Sequence, residues 1–135
     1  MATIKTFEEL DVWQKARALS KEIYAKTRTG SFTKDFELKD QITRSSGSIA
    51  DNIAEGFERN GNREFVYFLS IAKGSAGEVR SQLYRAFDRK HIEEKDFYSL
   101  KDKALVIIKM ISALRNRINS SPMKGSRFQD HQIEP

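Results

Sequence analysis

The chain has 135 residues, no cysteine, 32% charged residues and a net charge of +5. That length sets a single domain, and the absence of cysteine excludes disulfides and thiolate chemistry. No apolar run approaches the ~18 residues of a membrane span, and MATIKTFEEL holds no apolar signal core, so a cytoplasmic protein with no membrane partner is expected.

Proline stands only at positions 122 and 135, so nothing interrupts helices before then. The basic balance, with a pI near 9.5, fits an acidic partner, nucleic acid first. Thr6-Phe7-Glu8-Glu9 fits a capping box with Thr6 as N-cap, and a helix is expected over about 7–28. Val12, Ala16, Leu19 and Ile23 form its apolar stripe, broadened by Trp13, Tyr24 and Thr27. Arg17, Lys21, Tyr24 and Arg28 share one flank. They read either as a phosphate-contacting strip with a stacking ring or as a solvated shoulder whose tyrosine packs at the core edge.

Thr29–Thr33 is a loop in which Gly30 suits a helix C-terminus and Thr33 or Asp35 could cap the next helix. The second helix is expected over about 34–58, with Leu38, Ile42, Ile49, Ile53 and Phe57 inward. Gln41, Ser45, Ser48, Asn52 and Arg59 form a polar strip on one side. We read Gln41 to Asn52 of that strip as buried and hydrogen-bonded across helices; exposed, it would be a candidate functional surface. Gly47, Ala50 and Ala54 form a smooth strip on the other side, suited to close approach of another helix. Arg44, Asp51 and Glu55 face outward.

The third helix is expected over about 62–90. Its seam, Phe65, Leu69, Ala72, Ala76, Val79, Leu83 and Ala86, alternates spacings of four and three, the pattern of a left-handed bundle. Lys73 and Arg80 lie seven apart on its shoulder. Gly74 and Gly77 each cost about 1 kcal/mol against alanine inside a helix, and close helix contact is the expected compensation. The fourth helix, about 94–119, carries Phe97, Leu100, Ala104, Ile107, Ile111, Leu114 and Ile118 inward. Leu105, Val106, Ile108, Met110 and Ala113 are surplus, which suggests either a broad intrachain face or self-association. The bundle domain thus covers 1–119, and 120–135 is expected to be a disordered or loosely docked tail.

Catalytic chemistry is not evident. His91 and His131 are the only histidines, and Asp88–His91 supplies at most half of one bundle metal motif. Asp51, Glu55 and Glu58 share a face and read as solvated or as partners of Arg44 and Arg59. No Walker loop, no dinucleotide-binding glycine motif and no Ser–His–acid arrangement is suggested. The chain reads as an all-α, up-down-up-down four-helix bundle, not an enzyme, with no cofactor and no metal.

Three segments carry a resemblance: Phe7-x-x-Leu10-x-Val12-Trp13-Gln14-Lys15-Ala16, Ser48-Ile49-Ala50-Asp51-Asn52-Ile53-Ala54-Glu55-Gly56, and Phe65-x-x-Phe68-Leu69-x-Ile71-Ala72-Lys73-Gly74-Ser75-x-x-Glu78-Val79. In this order they resemble the four-helix proteins encoded in intervening sequences of 23S ribosomal RNA genes. These are in turn similar to the accessory variability proteins of diversity-generating retroelements. The family commonly has Phe-Pro before its second helix, where this chain has Ser31-Phe32-Thr33-Lys34. The resemblance implies a homo-oligomeric ring, a homopentamer in characterised relatives. In the retroelement relatives it also implies a basic surface that binds nucleic acid and a reverse transcriptase. Two functions are therefore expected. One is a nucleic-acid-binding oligomer for structured RNA or RNA–DNA, contacting phosphates through Arg17, Lys21, Arg28, Lys73 and Arg80, with Arg59 and Arg63. The other is a protein-interaction scaffold that docks a partner enzyme.

Overall fold

A computed structural model describes residues 4–59 and 61–120. Its four long helices are α1 (Asp11–Thr27), α2 (Phe36–Glu58), α3 (Asn62–Asp88) and α4 (Glu94–Asn119). Each helix packs on its sequence neighbours, and α1 closes on α4. Bonds between Gln41 and Arg85 and between Ser48 and Ser75 run α2 and α3 antiparallel. Glu22–Lys103 and Lys26–Asp96 do the same for α1 and α4. The predicted α3 and α4 seams are buried residue for residue. On α4, Ile108 and Met110 pack against the core while Val106 stays exposed. The tail expected over 120–135 lies, Ser120 apart, outside the described residues.

The helix ends depart from expectation, each for a local reason. Thr6 does not cap α1. Its hydroxyl donates to the Glu9 carboxylate at 3.2 Å, a short 3₁₀ turn covers Phe7–Glu9, and Leu10 turns extended. Leu10 is fully buried, so the chain bends there to seat it and α1 starts only at Asp11. Tyr24, expected to broaden the core stripe, is half exposed. After α1, Gly30 takes the left-handed conformation (φ 59°) and opens a 3₁₀ turn to Lys34 that buries Phe32. Asp35 then caps α2, accepting from the Leu38 N–H at 3.2 Å.

The C-terminus of α3 closes in a Schellman motif. His91 N–H donates to Ala86 O at 2.8 Å and Lys90 N–H to Phe87 O at 2.9 Å, with Lys90 at φ 63°. This turn delivers Arg89 and His91 to Asp35. One Asp35 carboxylate oxygen accepts from Arg89 and meets His91 Nε2, both at 2.8 Å. The ring of His91 stacks on Phe32 at 5.0 Å, so the α1–α2 and α3–α4 connections are clasped at one end of the bundle. Hydrogen bonds from Arg89 first, and then His91, hold the Asp35 carboxyl down at about 2 from its ordinary 3.8.

The polar strip of α2 is paired across to α3 where it is buried. Ser45 donates to Gln82 Oε1 at 2.5 Å, and Ser75 donates to Ser48 Oγ at 2.9 Å. Arg85 reaches Gln41 Oε1 at 2.6 Å, while Asn52 turns back to Ser48 on its own helix at 2.8 Å. The glycines correct the sequence reading. A Cβ at Gly47, Gly74 or Gly77 would meet nothing within 4 Å, so no intrachain helix contact explains them. The close approach is at Gly56 instead, where a Cβ would lie 2.7 Å from Phe68 Cβ and 3.1 Å from a Phe65 ring carbon.

Gly56→Ala is therefore expected to destabilise by roughly 1–3 kcal/mol despite alanine's better helix propensity. Gly74→Ala and Gly77→Ala should each stabilise the isolated chain by about 0.5–1 kcal/mol; urea denaturation of the three variants reads both signs. For Asp35 the folded pKa lies below the unfolded one, so its stabilisation is complete above about pH 4 and is lost as pH falls through about 2. Asp35→Ala should cost about 1–2 kcal/mol at neutral pH, and denaturation across a pH series should show the gap to the natural chain narrowing below pH ~4.

Candidate nucleic-acid interface

The seven cations singled out from sequence fall on separate parts of the bundle. Arg17, Lys21 and Arg28 lie exposed along α1. Arg17 sits 5.9 Å from the Trp13 ring centroid, and Arg28 sits 5.6 Å from that of Tyr24 and donates to its hydroxyl at 3.1 Å. Arg59 is committed locally. It pairs with Glu55 at 2.7 Å and Glu64 at 3.7 Å and lies over the Phe68 ring, and the Glu55 bond chiefly raises its pKa. Arg63 is exposed at the start of α3. Lys73 and Arg80 are half-buried on α3, which lies diagonally across the bundle from α1. The α1 strip and the α3 pair thus belong to different faces.

Lys73 and Arg80 share the α3 flank that meets α4. Tyr84 and Phe87, four and seven residues after Arg80, both contact Phe97 of α4, at 4.9 and 4.8 Å between centroids. On α4 the matching flank runs through Lys101, Ile108 and Arg115, spaced by sevens. Lys101 confirms the register, since its Nζ lies 5.9 Å from the Tyr84 centroid. The sequence reading missed Lys101 and Arg115. The seven-residue spacing that flagged Lys73 and Arg80 would have found them. From Arg115 to Lys101 this flank spans about 21 Å at 1.5 Å per residue.

Between Lys73 and Phe87 on α3 and between Lys101 and Arg115 on α4 these stripes hold no Asp or Glu, whereas Glu94, seven before Lys101, and Asp88, four after Tyr84, stand at the aromatic end of the face. Glu78 lines the α2 side, Asp96 pairs with Lys26, and Asp102 lines the α1–α4 groove. Among the described residues Lys73, Arg80, Lys101 and Arg115 make no ion pair, whereas Lys26, Arg44, Arg59, Arg89 and Lys103 all do. Nε of Arg80 and Nε of Arg115 are shielded from solvent and have no hydrogen-bond partner. A shielded donor left unpaired costs about 1–3 kcal/mol. The shielded Nε atoms are themselves closed to an incoming ligand, and what these two guanidiniums offer is charge with no carboxylate paired to it.

Two further constellations have other duties. Ser31 Oγ lies 2.8 Å from His91 Nδ1, and His91 Nε2 lies 2.8 Å from Asp35 Oδ2. A Ser–His–acid chain therefore exists, contrary to the sequence reading, because the two loops that carry it meet only in the folded bundle. Its members serve the fold: Asp35 caps α2 and is bound by Arg89, and His91 closes the clasp. On the α2–α3 side, Gln41, Arg44, Ser48, Asp51, Glu78 and Arg85 are among the walls of an open groove of about 940 Å³ that mixes both charges. Among the described residues no group of three or more acidic or histidine side chains could hold a metal, and no helix is long and apolar enough to cross a membrane.

If the α3–α4 cations do not serve the fold, apolar replacements should be harmless to it. Arg80→Met and Arg115→Met keep the aliphatic stem. Each is expected to be neutral or stabilising by up to about 2 kcal/mol, read as a shift in thermal midpoint.

No curated protein matches the chain by sequence. A crystal structure of a protein of unknown function from the S23 ribosomal protein family of Bacteroides thetaiotaomicron superposes with a TM-score of 0.71 at 24% identity. The match covers 77% of this chain and 97% of that one, a likeness of fold. The model of the 23S rRNA-intervening sequence protein family matches residues 8–113, a span that takes in nearly all of the three sequence motifs and most of the bundle, and this chain belongs to that family.

Proposed function

We propose that the protein is a non-enzymatic, homo-oligomeric bundle that binds nucleic acid, structured RNA or an RNA–DNA duplex, through the α3–α4 face. The observation that carries this reading is the set of four cations on that face, none of which makes an ion pair among the described residues, while Lys26, Arg44, Arg59, Arg89 and Lys103 do. Phosphates supply the negative charge that these cations lack. No base-reading helix motif accompanies it, so recognition rests on charge and shape. The family's name, which ties it to 23S rRNA genes, points the same way.

Self-association is supported by the bare outward glycines. Gly47, Gly74 and Gly77 weaken their helices and meet nothing inside one chain, which suits a surface where a neighbouring copy comes close. By resemblance the assembly is a pentamer. A second reading, an accessory scaffold that docks a partner enzyme such as a reverse transcriptase, is favoured by the mixed-charge α2–α3 groove. On that reading the α3–α4 cations serve solubility.

Fluorescence anisotropy with labelled RNA and an RNA–DNA duplex tests the first reading. Binding should weaken steeply with salt, with a log–log slope of roughly −3 to −4 per chain if all four cations meet duplex phosphates. Lys73→Glu combined with Arg80→Glu should weaken it on the order of tenfold to hundredfold while leaving capture of a protein partner intact. No binding to any RNA or DNA at low salt would sink the idea. Light scattering with and without RNA reports the oligomer in the same samples.

A further inference from the structure

The α3–α4 face ends in a cluster of rings that phosphate contacts alone do not use. Tyr84 and Tyr98 are 46% and 49% exposed. Both are braced edge-on against Phe97, at 4.9 Å and 69° for Tyr84 and 5.2 Å and 63° for Tyr98. Phe97 is itself buried and stacked on Phe87 at 4.8 Å and 15°. The two exposed rings therefore stand on a rigid aromatic base. Lys101 Nζ lies between them, 4.9 Å from the Tyr98 centroid, 5.5 Å from Phe97 and 5.9 Å from Tyr84. It makes no ion pair among the described residues. Arg80 is one helical turn from Tyr84 on the same flank.

We propose that Tyr84, Tyr98 and Lys101 form a stacking platform for an unpaired base, so that the nucleic acid held by this face includes a single-stranded segment. This rests on the nucleic-acid reading above and narrows it. A duplex keeps its bases stacked inside and offers exposed tyrosine rings nothing to cover. A splayed base offers a π-face that stacks on a tyrosine regardless of sequence. Lys101 occupies this space in the free protein through cation–π attraction. A phosphate flanking the base draws its ammonium outward and leaves the rings to the base. The α1 strip is built differently: Arg28 lies over a single exposed ring, Tyr24, and hydrogen-bonds its hydroxyl, while Arg17 lies over Trp13, which is half-buried against Phe7.

The test compares the natural protein with the Tyr84→Leu/Tyr98→Leu and Tyr84→Phe/Tyr98→Phe double variants. Anisotropy titrations use one short single-stranded RNA and the blunt duplex of the same length. The leucine variant should bind the single strand about tenfold to hundredfold more weakly, with duplex affinity changed less than about twofold, because the phosphate contacts remain. The phenylalanine variant should behave as the natural protein. Ring-proton resonances of Tyr84 and Tyr98 in the natural protein should shift upfield on adding the single strand, a readout independent of whether the leucine variant folds. Unshifted ring protons, or equal losses for both RNAs in a folded leucine variant, would overturn the platform and leave duplex binding standing. A natural protein that binds neither RNA at low salt overturns the platform together with the reading it rests on.

Discussion

The contact of α2 with α3 at Gly56 sets the geometry on which the other packing depends. With no side chain at Gly56, the Phe65–Phe68 turn can lie against the α2 backbone, and Phe57 then meets Phe65 edge-on at 5.8 Å. Once that end is fixed, the antiparallel register is set. Ser48 falls opposite Ser75, Ser45 opposite Gln82 and Gln41 opposite Arg85, three bonds that each satisfy groups at the helix–helix boundary. A shift of one residue would turn these groups toward apolar neighbours, where unpaired hydroxyls and amides are costly. The polar bonds therefore specify register, and the apolar seams supply the driving force.

At the opposite end the same register is enforced by the loops. Asp35 is bound at once by the Leu38 N–H, by Arg89 and by His91, so one carboxylate caps α2 and holds the end of α3. Lys90 adopts a left-handed conformation, which costs a non-glycine residue about 1–2 kcal/mol; the Schellman bonds and the stacking of His91 on Phe32 offset it. With both ends fixed, α3 and α4 present a constant set of flanks to solvent. That constancy lets Lys73, Arg80, Lys101 and Arg115 act as one face instead of four independent side chains.

Features set by periodicity are legible in the sequence, and features set by encounters between distant segments are not. The α3 and α4 seams can be read because their apolar residues repeat at threes and fours and little competes with that signal. The start of α1 cannot. Thr6 and Glu9 have the right spacing for a capping box, yet burial of Leu10 outweighs it and bends the chain. The glycines show the same divide. Composition marks Gly47, Gly56, Gly74 and Gly77 as anomalous, but only the fold separates the one that admits Phe68 from the three that face open space. Of the candidate site, Lys73 and Arg80 are legible from spacing. Their isolation from carboxylates is not, because it depends on which way Glu78, Asp96 and Asp102 turn. The Ser31–His91–Asp35 chain is invisible for the same reason, its members lying on two loops far apart in sequence.

Several anomalies sit on outward or flanking surfaces. Most of the interior is consistent, with apolar seams in register and its buried serines and Gln82 bonded. Natural sequences depart from local consistency mainly where function requires it. Here the departures are helix-weakening glycines on the outward sides of α2 and α3, shielded guanidinium nitrogens on the α3–α4 face, and tyrosine rings braced by a buried phenylalanine yet half open to water. The first two weaken an isolated chain. They fall into two groups by chemistry. The bare backbone of the glycines suits another helix, which needs close approach and carries no charge. The cations and rings suit a polyanion with aromatic bases, which supplies the negative charge and π-faces that this surface lacks. On the proposed function, copies join through the first surface and gather a nucleic acid along the second, and each added subunit would multiply the contacts made to a single strand.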